Sequence, residues 1–232
     1  MQVFELSLQI CFTDRQPYEE ASERIGSFLD AALGKTERYR KFHINRVFKL
    51  YTFDLPYPLE SGHIYEEGKI YTVRIRTILE ELAVYFACRL PGSEAAGIQG
   101  LSAELGIIPY YLLDRVYTLT PVIMKTGQGY WRGGLLPREY LERLKNNLIK
   151  KYNFTCNTRL SEDFALFQGL EFRNRKPVRV PYKNVVLLGD KLSLTISKDE
   201  RAQELAYMAL GTGIGENNAR GCGFLSYRYS RL

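Results

Sequence analysis

Histidine is nearly absent from these 232 residues: there are two, His43 and His63. That scarcity, and the lack of any His, Asp and Glu grouping at metal-ligand spacing, argues against a hydrolytic metal centre. The four cysteines, Cys11, Cys88, Cys156 and Cys222, are scattered and include no Cys-x-x-Cys pair. This argues against a zinc site and fits a reducing cytoplasm, and all four read as buried small hydrophobes. No apolar run approaches the roughly 18 residues that span a membrane. The opening Met1-Gln-Val-Phe-Glu-Leu6 lacks the basic start and small-residue cleavage site of a secretory leader. The expectation is a globular cytoplasmic protein, with no membrane partner, metal or cofactor.

Glycine, in contrast, is concentrated. Gly211, Gly213, Gly215, Gly221 and Gly223 fall within thirteen residues and flank the polar run Glu216 to Arg220. Glycine reaches backbone angles closed to other residues and, lacking Cβ, permits close approach of another backbone, so the stretch reads as a loop built to receive something through its amides. A helix over 198–210 precedes it and a strand over 223–228 follows. That order is the reverse of a dinucleotide fingerprint, and Asn218 stands where its third glycine belongs. A triphosphate loop needs Gly-Lys-Ser/Thr, which is missing. A sugar-phosphate backbone and plain turn-making remain.

The segment Gly211-Thr-Gly-Ile-Gly-Glu-Asn-Asn-Ala-Arg-Gly-Cys-Gly-Phe224 resembles the C-terminal glycine-rich signature of the Cas6 family, the CRISPR repeat-RNA endoribonucleases of the RAMP superfamily. In that family the loop also lies between the last helix and the last strand. The resemblance implies tandem ferredoxin-like domains and an RNA substrate.

The chain's periodicities agree with that architecture. Gln2 to Phe12 alternates as a half-buried strand, and Ala21, Ile25, Phe28, Leu29 and Ala32 recur at helical spacing between an Asp14 cap, Pro17 in the first turn, and a stop at Gly34. Strands over 47–53 and 70–77, a helix over 78–89 and a strand within 98–116 complete a strand-helix-strand-strand-helix-strand unit. From Tyr117 the order repeats: a strand through Val122 and Ile123, a helix over 137–150, strands over 164–173 and 178–195, then the helix and strand about the glycine loop. The predicted class is α+β, two tandem ferredoxin-like (RRM-like) domains, 1–116 and 117–232, with a C-terminal glycine-rich loop. No low-complexity linker separates them, so tight packing of the halves is expected.

Net charge is +6, and the basicity is clustered: six basic residues against Glu37 alone over 35–49, and eleven against five acidic over 137–183. Such clusters are either solvated faces or tracks for phosphates. The expected RNA contacts are Arg38, Arg40, Lys41 and Arg46, then Lys150, Lys151, Arg173, Arg175, Lys176 and Arg179, and in the loop Gly213, Gly215, Arg220, Gly221 and Gly223. The turn Gln128-Gly-Tyr-Trp-Arg132 holds the single tryptophan, read as packing between the halves ahead of stacking on a base.

RNA can be cut without a metal: a base takes the proton of the 2′-hydroxyl, which attacks the adjacent phosphate, a cation neutralises the phosphorane, and an acid protonates the leaving 5′-oxygen. Tyr39-Arg-Lys-Phe-His-Ile-Asn-Arg-Val-Phe-Lys-Leu-Tyr-Thr-Phe53 resembles the Cas6 active-site region, where a histidine precedes a Lys-containing strand. The resemblance implies His43 as general acid/base, Lys49 as the charge stabiliser and Tyr39 as an accessory tyrosine; His63 reads as a loop residue. The implied activity is metal-independent cleavage of CRISPR precursor RNA within each repeat, giving guide RNA with a 2′,3′-cyclic phosphate or 3′-phosphate beside a 5′-hydroxyl product. A non-catalytic RAMP-type subunit that holds RNA is the alternative, and a ferredoxin-like protein with another ligand a remoter one. Partners expected from the resemblance are repeat RNA, with other CRISPR effector subunits and a second copy of the chain left open.

Overall fold

The computed structural model describes residues 1–45, 47–127, 129–182 and 185–230. Its first half runs β1 (Val3–Phe12), α1 (Tyr18–Leu33), α2 (Glu37–Ile44), β2 (Tyr51–Phe53), β3 (Ile70–Thr77), α3 (Glu80–Arg89) and β4 (Ile98–Ile108). The antiparallel sheet has the order β2-β3-β1-β4, with the short strand Glu94–Ala95 at its far edge. Alternation in β1 sends Leu6, Leu8 and Ile10 to one face, where they meet Ile25, Phe28 and Leu29 of α1 and Leu82 and Phe86 of α3. Each such buried side chain contributes roughly 1.5–3 kcal/mol.

The second half repeats this plan with β5 (Leu113–Thr118), α4 (Pro137–Cys156), β6 (Phe167–Phe172), β7 (Val178–Tyr182), β8 (Val185–Gly189), β9 (Leu192–Ile196), α5 (Glu200–Thr212) and β10 (Leu225–Tyr229). Its sheet order is β6-β9-β5-β10, equivalent strand for strand to the first, and β7 and β8 form a separate hairpin inserted between the second and third strands. The fold is thus two tandem ferredoxin-like units. No helix among the described residues is long and apolar enough to cross a membrane.

Several local expectations are corrected. Pro17, not Asp14, precedes the first turn of α1, and Asp14 instead pairs with Arg24 at 3.0 Å. Val122 and Ile123 form isolated bridges to Asp190 and Glu216 rather than a strand; the strand lies earlier, at β5. The 178–195 stretch is three strands, not one. Only Cys222 is buried; Cys11 is half-buried, and Cys88 and Cys156 are exposed. Trp131 is buried, but inside the second half: it stacks on Tyr140 at 4.2 Å and its Nε1 donates to Asp190 at 2.7 Å. Gln128, in the same turn, lies outside the described residues.

The halves dock through α5, which packs on β1 and β3. Gly211 makes this possible, because a Cβ there would stand 2.8 Å from Ile78 Cγ2. Tyr207 Oη accepts from Val3 N at 3.2 Å and donates to Ile108 O at 2.6 Å. Arg76, buried, donates to Leu225 O at 2.6 Å and pairs with Glu5. Both residues satisfy backbone groups that the interface would otherwise strand.

Candidate active site

A cleft of about 350 Å³ opens where the halves meet, and it is lined by α1, the end of α2, the residues leading into β2, one face of α4 and the glycine loop. His43 comes to it from the last turn of α2. The sequence reading places this histidine in a connection, yet the chain is helical there. Glu37 pairs with Arg40 and, at 3.4 Å, with Lys41 one turn on, contacts suited to a short surface helix.

Lys49 lines the same cleft, but its ammonium turns inward. It donates to the carbonyls of Phe42, His43 and Asn45 at 2.5, 2.8 and 2.6 Å, closing the C-terminus of α2. A cation over the last carbonyls of a helix satisfies orphan acceptors and complements the helix dipole. Burial holds its pKa below the usual lysine value, opposed by Asp30 and reinforced by Arg220. The inward turn also shortens the predicted strand: Leu50 takes a positive φ of 53°, and regular pairing begins only at Tyr51.

Asp30, on α1, escaped the sequence reading. Its Oδ2 accepts from Arg220 Nη1 at 2.5 Å and its Oδ1 lies 3.2 Å from His43 Nδ1. One carboxylate therefore joins two helices of the first half to the loop of the second. No short motif marks it; only the helical register of α1, which puts Asp30 beside the buried Leu29, could have hinted that it faces the interior edge.

The glycine loop is built differently from expectation. Its glycines are packed against the protein's own atoms, backbone at Gly215 and Gly223 and side chains at Gly213 and Gly221. Gly213, Gly215, Gly221 and Gly223 all have positive φ, and a Cβ would stand 2.5 Å from Asn218 Nδ2, 2.6 Å from Ile123 O, 2.7 Å from Phe53 Cε2 and 2.0 Å from Ile214 O respectively. The amides of Gly213, Ile214, Glu216, Gly221 and Gly223 bond to Ala209, Gly223, Ile123, Asn218 and Pro121 carbonyls. What the loop presents to the cleft is the run 215–220, with Arg220 at its end.

Lys151 is corrected likewise. It is buried, with Nζ donating to Gly213 O at 2.8 Å, Gly215 O at 3.2 Å and Asn218 Oδ1 at 2.7 Å, so it is the floor of the loop rather than an outer phosphate contact. Burial pushes its pKa down to about 7, with Glu216 opposing. Tyr39 does not reach the cleft: its Oη donates to Glu81 O at 2.9 Å and its ring packs on Tyr85. The tyrosine that does line the cleft is Tyr51, buried, its hydroxyl pKa raised by burial and then by Asp30.

Among the other expected contacts, Arg38 pairs with Glu81 and Arg40 and Lys41 with Glu37, all on exposed surface. Lys150, Arg173, Arg175, Lys176 and Arg179 are exposed, Arg173 lying over the Tyr117 ring at 5.4 Å. Arg46 lies outside the described residues. His63 sits in the loop before β3, edge-on to Tyr18. No group of three or more His, Cys, Asp or Glu able to hold a metal occurs among the described residues. In chemical terms the cleft gathers a histidine with a carboxylate behind it, and cations on either side.

Residues 113–227 match the protein family described as CRISPR associated protein Cas6, C-terminal. No curated protein matches. Among solved structures, the chain is similar to a CRISPR associated protein Cas6 at 21% identity and a TM-score of 0.70, covering 97% of this chain and 99% of that one. It is also similar to the product of a Cas6-related gene from Pyrococcus furiosus, at 17% identity and TM-score 0.68 over 99% and 100% of the two chains. Thermus thermophilus Cas6 follows the same fold at 18% identity, TM-score 0.62, covering 98% of each.

Proposed function

Because the chain belongs to the Cas6 family of CRISPR-associated proteins, we propose that it is an endoribonuclease that cuts CRISPR precursor RNA within its repeats by attack of the RNA's own 2′-hydroxyl. The observation that carries this reading is the convergence of His43, Arg220 and Lys49 on one cleft between the halves. The 2′-oxygen forms a bond to phosphorus as its proton passes to a base; the bond from phosphorus to the 5′-oxygen breaks as that oxygen gains a proton. His43 serves that exchange, an imidazole being able both to take and to give a proton. Arg220 offers its guanidinium to the phosphorane's charge. Lys49 contributes field from behind His43 while holding the end of α2.

Similar structures include a Cas6 product complex and a substrate-mimic complex, which supports repeat RNA as the ligand. On the same footing we propose that the division between the halves, expected at 116/117, lies in the connection 109–112, because β5 begins at Leu113 and pairs within the second sheet, and that the outer RNA contacts are Lys150, Arg175, Lys176 and Arg179. The test is a labelled repeat RNA in excess EDTA beside the same RNA with a single 2′-deoxy substitution at the mapped cut. Cleavage of the first and survival of the second is the expected result; cleavage of the deoxy RNA overturns the mechanism. One observation favours a second reading, a subunit that holds RNA without cutting: the Lys49 donors are occupied by helix carbonyls. Tight binding with no cut would select it.

A further inference from the structure

We propose that Asp30 is a positioning residue for proton transfer: it accepts a hydrogen bond from His43 Nδ1–H and thereby fixes the neutral imidazole as the form whose Nε2 is unprotonated and available in the cleft. The proposal rests on the reading of His43 as the proton-transfer group.

Three observations carry it. First, Asp30 Oδ1 is buried and accepts no aligned hydrogen bond, although His43 Nδ1 stands 3.2 Å away. A buried carboxylate oxygen left unpaired is costly. A small turn of the ring aligns Nδ1–H with it. Second, the other oxygen of Asp30 is engaged by Arg220 from the opposite half, so the carboxylate cannot swing away to find another donor without breaking that pair. Third, the backbone that carries His43 is held: Lys49 donates to the His43 carbonyl and to two neighbouring ones. With the backbone fixed, the ring's orientation is set by what meets Nδ1. Which nitrogen carries the proton follows from the hydrogen bond made by the other.

The charged groups that line the cleft around this pair are Lys49, Lys151 and Arg220 as cations, with Glu216 as the second carboxylate. None of the cations can accept a hydrogen bond from Nδ1–H, and Asp30 is the carboxylate within ion-pair distance of the ring.

The test reads the tautomer, not only the activity. Ring-nitrogen NMR of His43, assigned by its loss in His43→Ala, is recorded on the full chain without RNA at a pH where the ring is neutral. The wild type is expected to be protonated at Nδ1. Asp30→Ala should move the proton to Nε2 and slow single-turnover cleavage at least about tenfold, whereas Asp30→Asn, which keeps an acceptor oxygen, should retain the tautomer and part of the rate. Arg220→Gln, which releases the other oxygen of Asp30, should weaken the preference for the Nδ1-protonated form. A wild-type ring protonated at Nε2 overturns the proposal outright, whatever the variants do, and so does an unchanged tautomer in Asp30→Ala. Full cleavage by His43→Ala would instead overturn the parent reading, so the two failures are distinguishable.

Discussion

Two lysines, Lys49 half-buried and Lys151 buried, define this cleft at the level of single side chains, and their different surroundings predict different behaviour. Lys49 caps three carbonyls, so Lys49→Met should destabilise the first half by about 2 kcal/mol, the scale of a hydrogen bond to a charged group. Urea unfolding measures it, and cleavage should fall with it because α2 carries His43. Lys151 has a folded pKa lowered to about 7 against an unfolded value near 10.4. Between those values the unfolded chain binds more protons, so stability should rise with pH from about 7 to 9.5, by up to about 1.4 kcal/mol per unit. In Lys151→Met that slope should flatten; an unchanged slope would assign it to other groups. The roles of these lysines were only half legible. Their charge was plain in the sequence, but whether an ammonium faces a phosphate or a carbonyl depends on which backbone groups the fold leaves unpaired.

The glycine loop is the element on which the rest converges, and its conformation was legible where its purpose was not. Five glycines in thirteen residues announced positive φ and close approach. That the approaching chain is the protein's own, at Ile214, Ile123 and Phe53, is a matter of tertiary packing that spacing cannot carry. Gly223→Ala is therefore expected to cost about 2 kcal/mol or more, because φ of 68° is strained for alanine and the Ile214 carbonyl, 2.0 Å from the new Cβ, is backbone and cannot move cheaply. Thermal unfolding of the variant checks this. Periodic elements were read well: β3 falls on the predicted residues, and the helix stop at Gly34 holds. The misplaced elements are those where a side chain overrides periodicity, as Lys49 does before β2, or where apolar residues make only isolated bridges, as Val122 and Ile123 do.

Across the whole molecule, affinity for RNA and integrity of the site depend on different surfaces. If Lys150, Arg175, Lys176 and Arg179 track the phosphates, repeat-RNA affinity should fall linearly with salt on logarithmic axes, by about 0.7 per phosphate neutralised, and each charge removed should shallow that slope. Integrity rests on the docked halves. Tyr207→Phe strands the Val3 amide and the Ile108 carbonyl and should cost about 2 kcal/mol or more, read as a lowered unfolding midpoint. The repeated unit was legible in the order of strands and helices, but the joint between the units was not, since Tyr207, Arg76 and Gly211 belong to no motif. The Arg220–Asp30 pair that spans the joint carries a consequence in time. Chains emerge from the ribosome N-terminal end first and their domains fold as they appear. The first half can therefore take shape with His43 and Lys49 in place while Arg220 has yet to be synthesised. Until the loop docks, Asp30 lacks its second partner and the cleft lacks a wall, so the site is completed only once both halves have been made.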